Sequence, residues 1–164
     1  MPTTLSPPLT FPNFGPNLSF AQAIKSATAI RKGIDNTPPL AVYQNMLKTY
    51  QFIIRPIFEH YGPLTVSSFY RCPELNRAIG GAKNSQHTIG CAVDIDCDGS
   101  GVVSNRELLK WARKNLPFDQ ILDEFSDEHG NPSWVHLSYV SPEKNRGNVY
   151  AAIKQNGKTI YVPA

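Results

Sequence analysis

The residues with the clearest chemical potential lie in the run SQHTIGCAVDID, from Ser85 to Asp96. His87 and Asp94 are seven positions apart, with Gly90 between them. This spacing lets a loop carry the imidazole to a carboxylate on the strand that follows. Alternation along that strand predicts an apolar core face of Cys91, Val93, Ile95 and Cys97, and an accessible face of Ala92, Asp94 and Asp96.

A second histidine and a second carboxylate converge further along the chain. Residues 118–125 and 134–140 are typical of two strands, and the polar loop between them predicts an antiparallel hairpin. If Gly130 lies near the centre of the turn, Glu124 is expected directly opposite His136. One hairpin face would then carry Ile121, Phe125, Val135, Leu137 and Tyr139, with Asp123 as its single polar member, and the other Gln120, Leu122, Glu124, Trp134, His136 and Ser138.

Two histidines and one carboxylate form a ligand set typical of catalytic zinc sites, which keep the fourth tetrahedral position for water. The metal would lower the pKa of that water toward about 7. A nearby carboxylate that is not a ligand could take its proton during attack on a carbonyl. The strand faces therefore favour a hydrolytic zinc site built from His87, Asp94 and His136. Glu124 fits the role of general base.

Several separated motifs resemble those of a known family. They are Ser68-Phe69-Tyr70-Arg71, Asn76, Gly80-Gly81-Ala82, the SxHxxGxAxD motif from Ser85 to Asp94, and Trp134-Val135-His136. Together they resemble the M15 zinc peptidases, the D-alanyl-D-alanine carboxypeptidase-like enzymes, and in particular the cell-wall peptidases of phages and prophages. The resemblance covers about residues 19–140. It implies a hedgehog or D-Ala-D-Ala peptidase-like fold.

The resemblance also implies roles for individual residues. Zinc would be the cofactor, held by the same His-Asp-His set, and Arg71 would bind a substrate carboxylate or the developing oxyanion. Two further residues are candidates for substrate binding. Ser85 could contact substrate or could cap and orient the histidine loop, and Trp134 could form a wall of the cleft or serve in packing.

The general base is the position where the sequence departs from part of the family. Several members keep Asp or Glu three residues before the last zinc histidine, but here that residue is Ser133. Other members place the base on the preceding strand, which corresponds to Glu124. The loop carboxylates Asp127 and Glu128 are rivals near the same histidine. The expected hairpin register favours Glu124.

The implied activity is zinc-dependent hydrolysis of D-amino-acid-containing stem peptides of bacterial peptidoglycan. It could be that of a D,D-carboxypeptidase or of an L-alanyl-D-glutamate-type endopeptidase. An alternative from another class is a non-catalytic, zinc-containing wall-binding or virion structural component, since the related hedgehog signalling domain retains the metal for a function other than hydrolysis. An open metal position beside a retained base would favour hydrolysis, whereas a fourth protein ligand would favour binding.

A calcium site is a further alternative, because the run from Asp94 to Gly99 mimics the opening of an EF-hand loop. The twelfth position, however, is Asn105 rather than Glu, and the preceding segment is typical of a strand. Asp94 would also be needed as a zinc ligand. A calcium ion on Asp96 and Asp98 beside the zinc stays open, as does a role for Asp96 in orienting a zinc ligand.

Two N-terminal helices are predicted to support these motifs. A capping box at Ser19 and Gln22 begins the first, which ends at Gly33. The second begins near the Pro38-Pro39 pair and should be kinked or split by Pro56. The apolar residues expected on them are Ala23, Ile24, Ala27 and Ile30 on the first, and Leu40, Tyr43, Leu47, Tyr50, Ile54, Ile57 and Phe58 on the second.

The other predicted elements surround the two motif regions. A strand over residues 64–69 and a short helix from Pro73 precede the histidine loop, and a capping box at Ser104 begins another helix. The pair Asn156-Gly157 between two apolar runs predicts a C-terminal hairpin. Because helices come first and antiparallel strands later, the predicted class is α+β, with helices packed on a small antiparallel sheet.

Length and composition set the outer limits. The chain has 164 residues, which suits one hydrophobic core, and its 41% apolar content excludes disorder throughout. We expect a Pro-rich lead over residues 1–18 and a single zinc peptidase domain over residues 19–164, acting as a monomer. The net charge of +3 is too small and too scattered to indicate nucleic-acid binding.

Sequence features also bear on location. No stretch approaches the roughly 20 apolar residues of a membrane-spanning helix, and the N-terminal residues lack the charged start and apolar run of an export signal. Cys72, Cys91 and Cys97 show no CxxC pairing, as in proteins made in a reducing cytosol. We therefore expect synthesis in the cytoplasm and action on the cell wall after release or delivery by other factors, as for phage enzymes, or association with a virion.

Overall fold

Six α-helices and six strands make up the computed structural model, which describes residues 10–164. The helices are α1 Phe20–Ile24, α2 Ala27–Lys32, α3 Leu40–Thr49, α4 Arg55–Tyr61, α5 Pro73–Ala78 and α6 Asn105–Asn115. The strands are β1 Thr65–Ser68, β2 Ala92–Asp96, β3 Gln120–Glu124, β4 Trp134–Ser138, β5 Asn148–Gln155 and β6 Lys158–Pro163. The predicted α+β class is confirmed. Residues 1–9 of the Pro-rich lead lie outside the described residues.

The strands form one sheet in the order β1-β2-β4-β3-β5-β6. The expectation of an antiparallel sheet is wrong at one place, because β3 and β5 pair in parallel and the sheet is therefore mixed. The physical reason is that β4 ends beside the start of β3, where Ser138 pairs with Gln120, so a short connection that returns the chain to the free edge of β3 makes β5 start at the same end as β3. Residues 139–147 make that crossing. The predicted C-terminal hairpin at Asn156-Gly157 is confirmed as β5 and β6.

The first predicted helix is interrupted. The capping box at Ser19 begins it, but Lys25 leaves the helical conformation and Ser26 caps a second helix, α2. Gly33 ends α2 in the left-handed conformation that a side chain disfavours. Because the chain changes direction at Lys25, Ile30 lies on α2 and faces solvent with 71% exposure, whereas Ala23 on α1 is buried.

The second predicted helix is not split at Pro56, because the backbone stays in the right-handed helical conformation from α3 into α4, but its hydrogen-bond pattern changes there. A π-helical turn over Tyr50–Ile54 separates α3 from α4, and this wider turn accommodates the proline, which has no N–H to donate. Of the apolar residues predicted at helical spacing on α3, Tyr43 is buried, whereas Leu40 and Leu47 are 57% and 39% exposed. Met46 and Thr49 complete the buried face of this helix.

The main core lies between these helices and one face of the sheet. The predicted apolar face of β2 and its flanks is confirmed, since Cys91, Val93, Ile95 and Cys97 are all buried. The described part of the lead joins this core, because Phe14 and Leu18 are buried and Phe11 stacks on Tyr43 with ring centroids 4.3 Å apart. The sheet's opposite face is therefore left to carry polar side chains. None of the described helices is long and apolar enough to cross a membrane.

Candidate metal centre

Three different elements bring together the two histidines and the aspartate. His87 lies in a 3-10 turn, Gln86–Ile89, Asp94 on β2 and His136 on β4. In the antiparallel register Asp94 is directly opposite His136, so both side chains project from the same face of the sheet. The turn before β2 then delivers His87 to the same point.

The three candidate ligand atoms lie at distances suited to one small cation. His136 Nδ1 is 2.9 Å from Asp94 Oδ1, and His87 Nε2 is 3.2 Å from that oxygen. The two histidine nitrogens are 3.3 Å apart. A tetrahedron with zinc bonds near 2.0–2.1 Å has edges of about 3.4 Å. The residues therefore fit a three-ligand zinc site with small adjustments.

The cluster has fewer N–H donors than it has nitrogen and oxygen lone pairs that face one another. His87 Nδ1 lies 2.7 Å from the carbonyl of Phe69, and donating its proton there leaves a lone pair on Nε2. That lone pair faces the Asp94 oxygen and the Nδ1 atom of His136. One proton on His136 can satisfy only one of these contacts, and a cation bound at this point would satisfy the remaining lone pairs. The Phe69 carbonyl is the type of partner that orients metal-bound histidines.

Electrostatics keep the cluster in the protonation states that a metal requires. Burial lowers the pKa of His87, which favours its neutral form. Burial alone would raise the pKa of Asp94, but its interactions with the imidazoles of His87 and His136, including a hydrogen bond to each, outweigh that effect and hold the pKa well below its usual range. Asp94 is therefore ionised, as a metal ligand must be.

The histidine turn is fastened to α3 at its base. Gly90 has φ 74°, and a β-carbon there would lie 2.7 Å from the backbone oxygen of Val42, so both the conformation and the close approach require glycine. The hydroxyl of Thr49 donates to the Gly90 carbonyl at 2.9 Å. Ser85 accepts a hydrogen bond from the backbone N–H of His87 and lines the neighbouring cleft.

Glu124 does not lie directly opposite His136, and the predicted hairpin register is wrong. Glu124 pairs with Trp134, and Leu122 pairs with His136. The physical reason lies in the loop between β3 and β4. It is closed by a hydrogen bond from the N–H of Ser133 to the Glu124 carbonyl at 2.8 Å, which sets the pairing of the two strands. The shift is two residues, so strand alternation is preserved. Glu124 remains on the same face as His136, as a diagonal neighbour.

The environment of Glu124 suits proton transfer. Its side chain is buried yet lines the cleft beside the metal cluster. Burial raises the pKa of Glu124 from its ordinary 4.5 to about 7, against the opposing effect of nearby His136. A carboxyl group with a pKa near neutrality can both accept and return a proton. The rivals in the loop are fully exposed, and Asp127 accepts hydrogen bonds from the N–H groups of His129 and Asn131.

Arg71 enters the same cleft from the segment after β1. Its Nε is buried and has no hydrogen-bond partner among residues 10–164. Burial lowers the pKa of Arg71, while the carboxylates of Asp94 and Glu124 oppose that effect. The side chain of buried Asn36 hydrogen-bonds the backbone on both sides of Arg71. It donates to the Tyr70 carbonyl at 3.0 Å and accepts from the Cys72 N–H at 2.7 Å. The backbone on both sides of Arg71 is thus fixed, and the guanidinium keeps an unused donor.

The cleft over the cluster has a volume of about 590 Å³. Trp134 lines it and contacts Phe125 edge to face, with ring centroids 5.7 Å apart. Phe125 was expected on the apolar core face, and this is wrong. It has φ 55°, which ends β3 and turns the ring toward Trp134.

Three residues of this region escaped the sequence analysis: Asp119, Arg146 and Tyr161. Asp119 is 1% exposed and accepts hydrogen bonds from Arg146 Nη2 at 2.6 Å and Gln86 Nε2 at 2.9 Å. Burial alone would raise its pKa, but these partners lower it to about 2. Asp119 therefore ties the residue before His87 to the β4–β5 connection. Tyr161 of β6 lines the cleft. No local motif marks any of them, because the sheet order alone brings them here.

The acidic loop after β2 is held by amide groups. Asp96 Oδ1 accepts a hydrogen bond from Asn105 Nδ2 at 2.9 Å, and Asp98 Oδ2 accepts one from Asn131 Nδ2 at 2.8 Å. Neither carboxylate contacts a member of the cluster. Within the described chain, a single group of three or more potential metal ligands converges, that of His87, Asp94 and His136.

Comparison with known proteins places this site in a family. No match is found among curated protein sequences. A family model described as Peptidase M15 matches residues 16–138, a span that contains His87, Asp94, His136, Arg71 and Glu124. The match confirms the resemblance drawn from the motifs. The chain therefore belongs to the M15 family of peptidases.

Proposed function

We propose that this protein is a zinc-dependent peptidase that hydrolyses D-amino-acid-containing stem peptides of bacterial peptidoglycan. The observation that carries the proposal is the convergence of His87, Asp94 and His136 in the wall of one cleft. That cleft also contains a buried carboxyl, Glu124, and an unpaired guanidinium donor, Arg71. Membership of the M15 family supports peptide hydrolysis as the reaction class.

The residues divide the chemistry between them. When bound at His87, Asp94 and His136, zinc would supply a water of lowered pKa and polarise the substrate carbonyl. Glu124 would accept the proton of the attacking water and pass it to the leaving amine. Arg71 would bind the developing oxyanion or a substrate carboxylate through its planar set of donors. Ser85 and Trp134 would contact the substrate from the walls.

The alternative, a non-catalytic zinc-containing wall-binding or virion component, calls for a closed metal site. Among the described residues the cluster has three members, and the buried carboxyl beside it is not one of them. This arrangement favours hydrolysis. The proposal includes the remaining expectations from the sequence: a hedgehog or D-Ala-D-Ala peptidase-like fold, one peptidase domain over residues 19–164, a monomeric state, and phage-type action on the cell wall.

Mass spectrometry of peptidoglycan fragments tests the function. Incubation of purified fragments with the zinc-loaded protein should release products that correspond to hydrolysis of one bond in the stem peptide. The same protein with Glu124→Gln, checked to bind zinc, serves as the control. Intact fragments after incubation with protein that holds one zinc per chain would contradict the proposal.

Substitution of Arg71 should separate its two candidate roles. We expect Arg71→Lys to lower kcat/KM by about tenfold or more, because lysine keeps the charge but loses the planar pair of donors. The measurement compares a pentapeptide ending in D-Ala-D-Ala with its C-terminal amide. If Arg71 binds the terminal carboxylate, the native enzyme should cleave the acid faster than the amide, and the Arg71 variants should lose that difference. Equal cleavage of both peptides, undiminished in Arg71→Ala, would rule out recognition of the terminal carboxylate.

A further inference from the structure

A buried carboxylate that the proposed chemistry does not use lies just before β3. Asp119 is 1% exposed, and its oxygens accept hydrogen bonds from three side chains, those of Gln86, Ser138 and Arg146. Arg146 donates to it from its backbone N–H and from Nε, at 2.9 Å each, and from Nη2 at 2.6 Å. One buried carboxylate thus fixes both the backbone and the guanidinium of Arg146.

The guanidinium of Arg146 is held along one edge only. A guanidinium has five N–H donors in one plane. Among residues 10–164, the hydrogen bonds of this side chain all go to Asp119, from Nε and Nη2, so both N–H groups of Nη1 remain for another partner. The side chain is 53% exposed and lines the cleft over the metal cluster. Its free edge therefore offers the cleft a set of planar donors, which suits a carboxylate.

The register of the sheet sets how far Arg146 lies from the metal cluster. Asp119 comes directly before β3, and the third residue of that strand, Leu122, is opposite His136. Asp119 is therefore about 10 Å along the strand from the row of His136, at about 3.3 Å per residue. About three residues of an extended peptide cover this distance. Glu124 lies beyond Leu122 in the other direction, so Arg146 and the proposed base are on opposite sides of that row.

The lining at the Arg146 end of the cleft carries no competing carboxylate among the described residues. Of the two carboxyls that line the cleft, Asp94 belongs to the metal cluster and Glu124 lies beyond it. The lining residues closest to Asp119 in the chain or by hydrogen bond are the amides Gln120 and Gln86. Because Asp119 offsets the charge of Arg146, recognition here depends on directed N–H donors more than on net charge.

We propose that Arg146 binds a carboxylate of the substrate peptide within about three residues of the scissile bond, and that Asp119 positions it. Arg146 then determines which peptides are hydrolysed, whereas Arg71 acts beside the metal. A peptide with an amide in place of that carboxylate binds less well, because an amide accepts fewer hydrogen bonds and turns its own N–H groups toward the donors. The inference rests on the proposed peptidase function and adds a specificity-determining residue to it.

Stem peptides with single amidations test the assignment. Each carboxylate except the C-terminal one is converted in turn to its amide. The native enzyme should cleave the unmodified peptide with a kcat/KM about tenfold or more above that for one amidated form. Arg146→Gln should bring this ratio close to one, and Arg146→Lys should not restore it, because lysine lacks the planar donors. A ratio that is unchanged in Arg146→Gln, or a native ratio of one for every amidation, would overturn the proposal.

Binding to an inactive protein separates this proposal from the peptidase function. On zinc-loaded Glu124→Gln protein, calorimetry should give a Kd for the unmodified peptide about tenfold below that for the same amidated form. Addition of Arg146→Gln should remove the difference. A difference in Kd without hydrolysis by the native protein would support the Arg146 site and contradict the peptidase function. Equal Kd values would overturn the Arg146 site, whatever the activity.

Two further variants separate positioning from a general effect on fold or charge. Asp119→Asn keeps the size of the side chain but weakens its bonds to Arg146, so the same ratio should fall while zinc content and circular dichroism stay as in the native protein. An unchanged ratio would contradict the positioning role. Arg55→Gln removes another half-exposed arginine, paired with Glu59 at 3.0 Å outside the cleft, and should leave the ratio unchanged. An equal loss in Arg55→Gln and Arg146→Gln would overturn the site.

Discussion

Replacement of both His87 and His136 by alanine should reduce bound zinc from one per chain to near zero and bring peptidase activity to the background rate. Of the three ligand residues only Asp94 would remain, and a single carboxylate binds zinc much more weakly than three ligands together. Elemental analysis of protein purified without added metal measures the first effect. Hydrolysis of a stem peptide measures the second.

Two controls keep this result interpretable. His129→Ala removes an imidazole that is 82% exposed in the β3–β4 loop, so its zinc content should be unchanged. Asp94→Asn keeps the shape of the cluster but removes its negative charge, and it should weaken zinc binding without the cavities that the alanines create. Circular dichroism establishes that each variant is folded. Stoichiometric zinc in the folded double variant would show that the metal is held elsewhere.

Glu124→Gln should lower kcat by about 10²-fold or more while zinc stays bound, because the amide keeps the shape of the side chain but cannot accept a proton. Glu128→Gln, in an exposed loop, is the matched control and should retain activity. Steady-state kinetics and zinc content are measured on the same preparations. Inactivation by Glu128→Gln, with Glu124→Gln still active, would reverse the assignment of the base.

The pH profile adds a second readout for Glu124. Only its ionised form accepts a proton, so kcat/KM should fall as the pH is lowered through the pKa of this carboxyl. In the metal-free site, burial raises that pKa to about 7. Since a nearby cation lowers it again, the acid limb is expected between about 4.5 and 7.

Strand patterns and caps were readable from the sequence because they depend on neighbouring residues. Alternation correctly predicted burial of Val93 and Ile95 on β2 and of Cys91 and Cys97 beside it, although Ala92, expected on the accessible face, is buried as well. The capping boxes at Ser19 and Ser104 and the turn at Asn156-Gly157 lie where expected. Each of these signals acts over a few residues, within the reach of a side chain or a single turn.

Errors arose where an apolar pattern was interrupted by local geometry. Ile30 fits a helical face only if the helix continues through Lys25, and the chain leaves the helix there. Phe125 fits a strand face only if β3 continues, and its positive φ ends the strand. The hairpin register was wrong for the same reason, but a shift of two residues left Glu124 on the face of His136.

The sequence by itself determined the family, the α+β class and the strand face on which Asp94, Glu124, Trp134 and His136 lie, because motif spacing and alternation are local properties of the chain. Only the tertiary structure decided that Asp94 is opposite His136, that Asp119 joins Gln86 to Arg146, and that β5 runs parallel to β3. The cleft that Arg71, Asp94 and Arg146 line also follows from it. These features depend on the order of strands in the sheet, which is set by long-range packing that no short run of residues encodes.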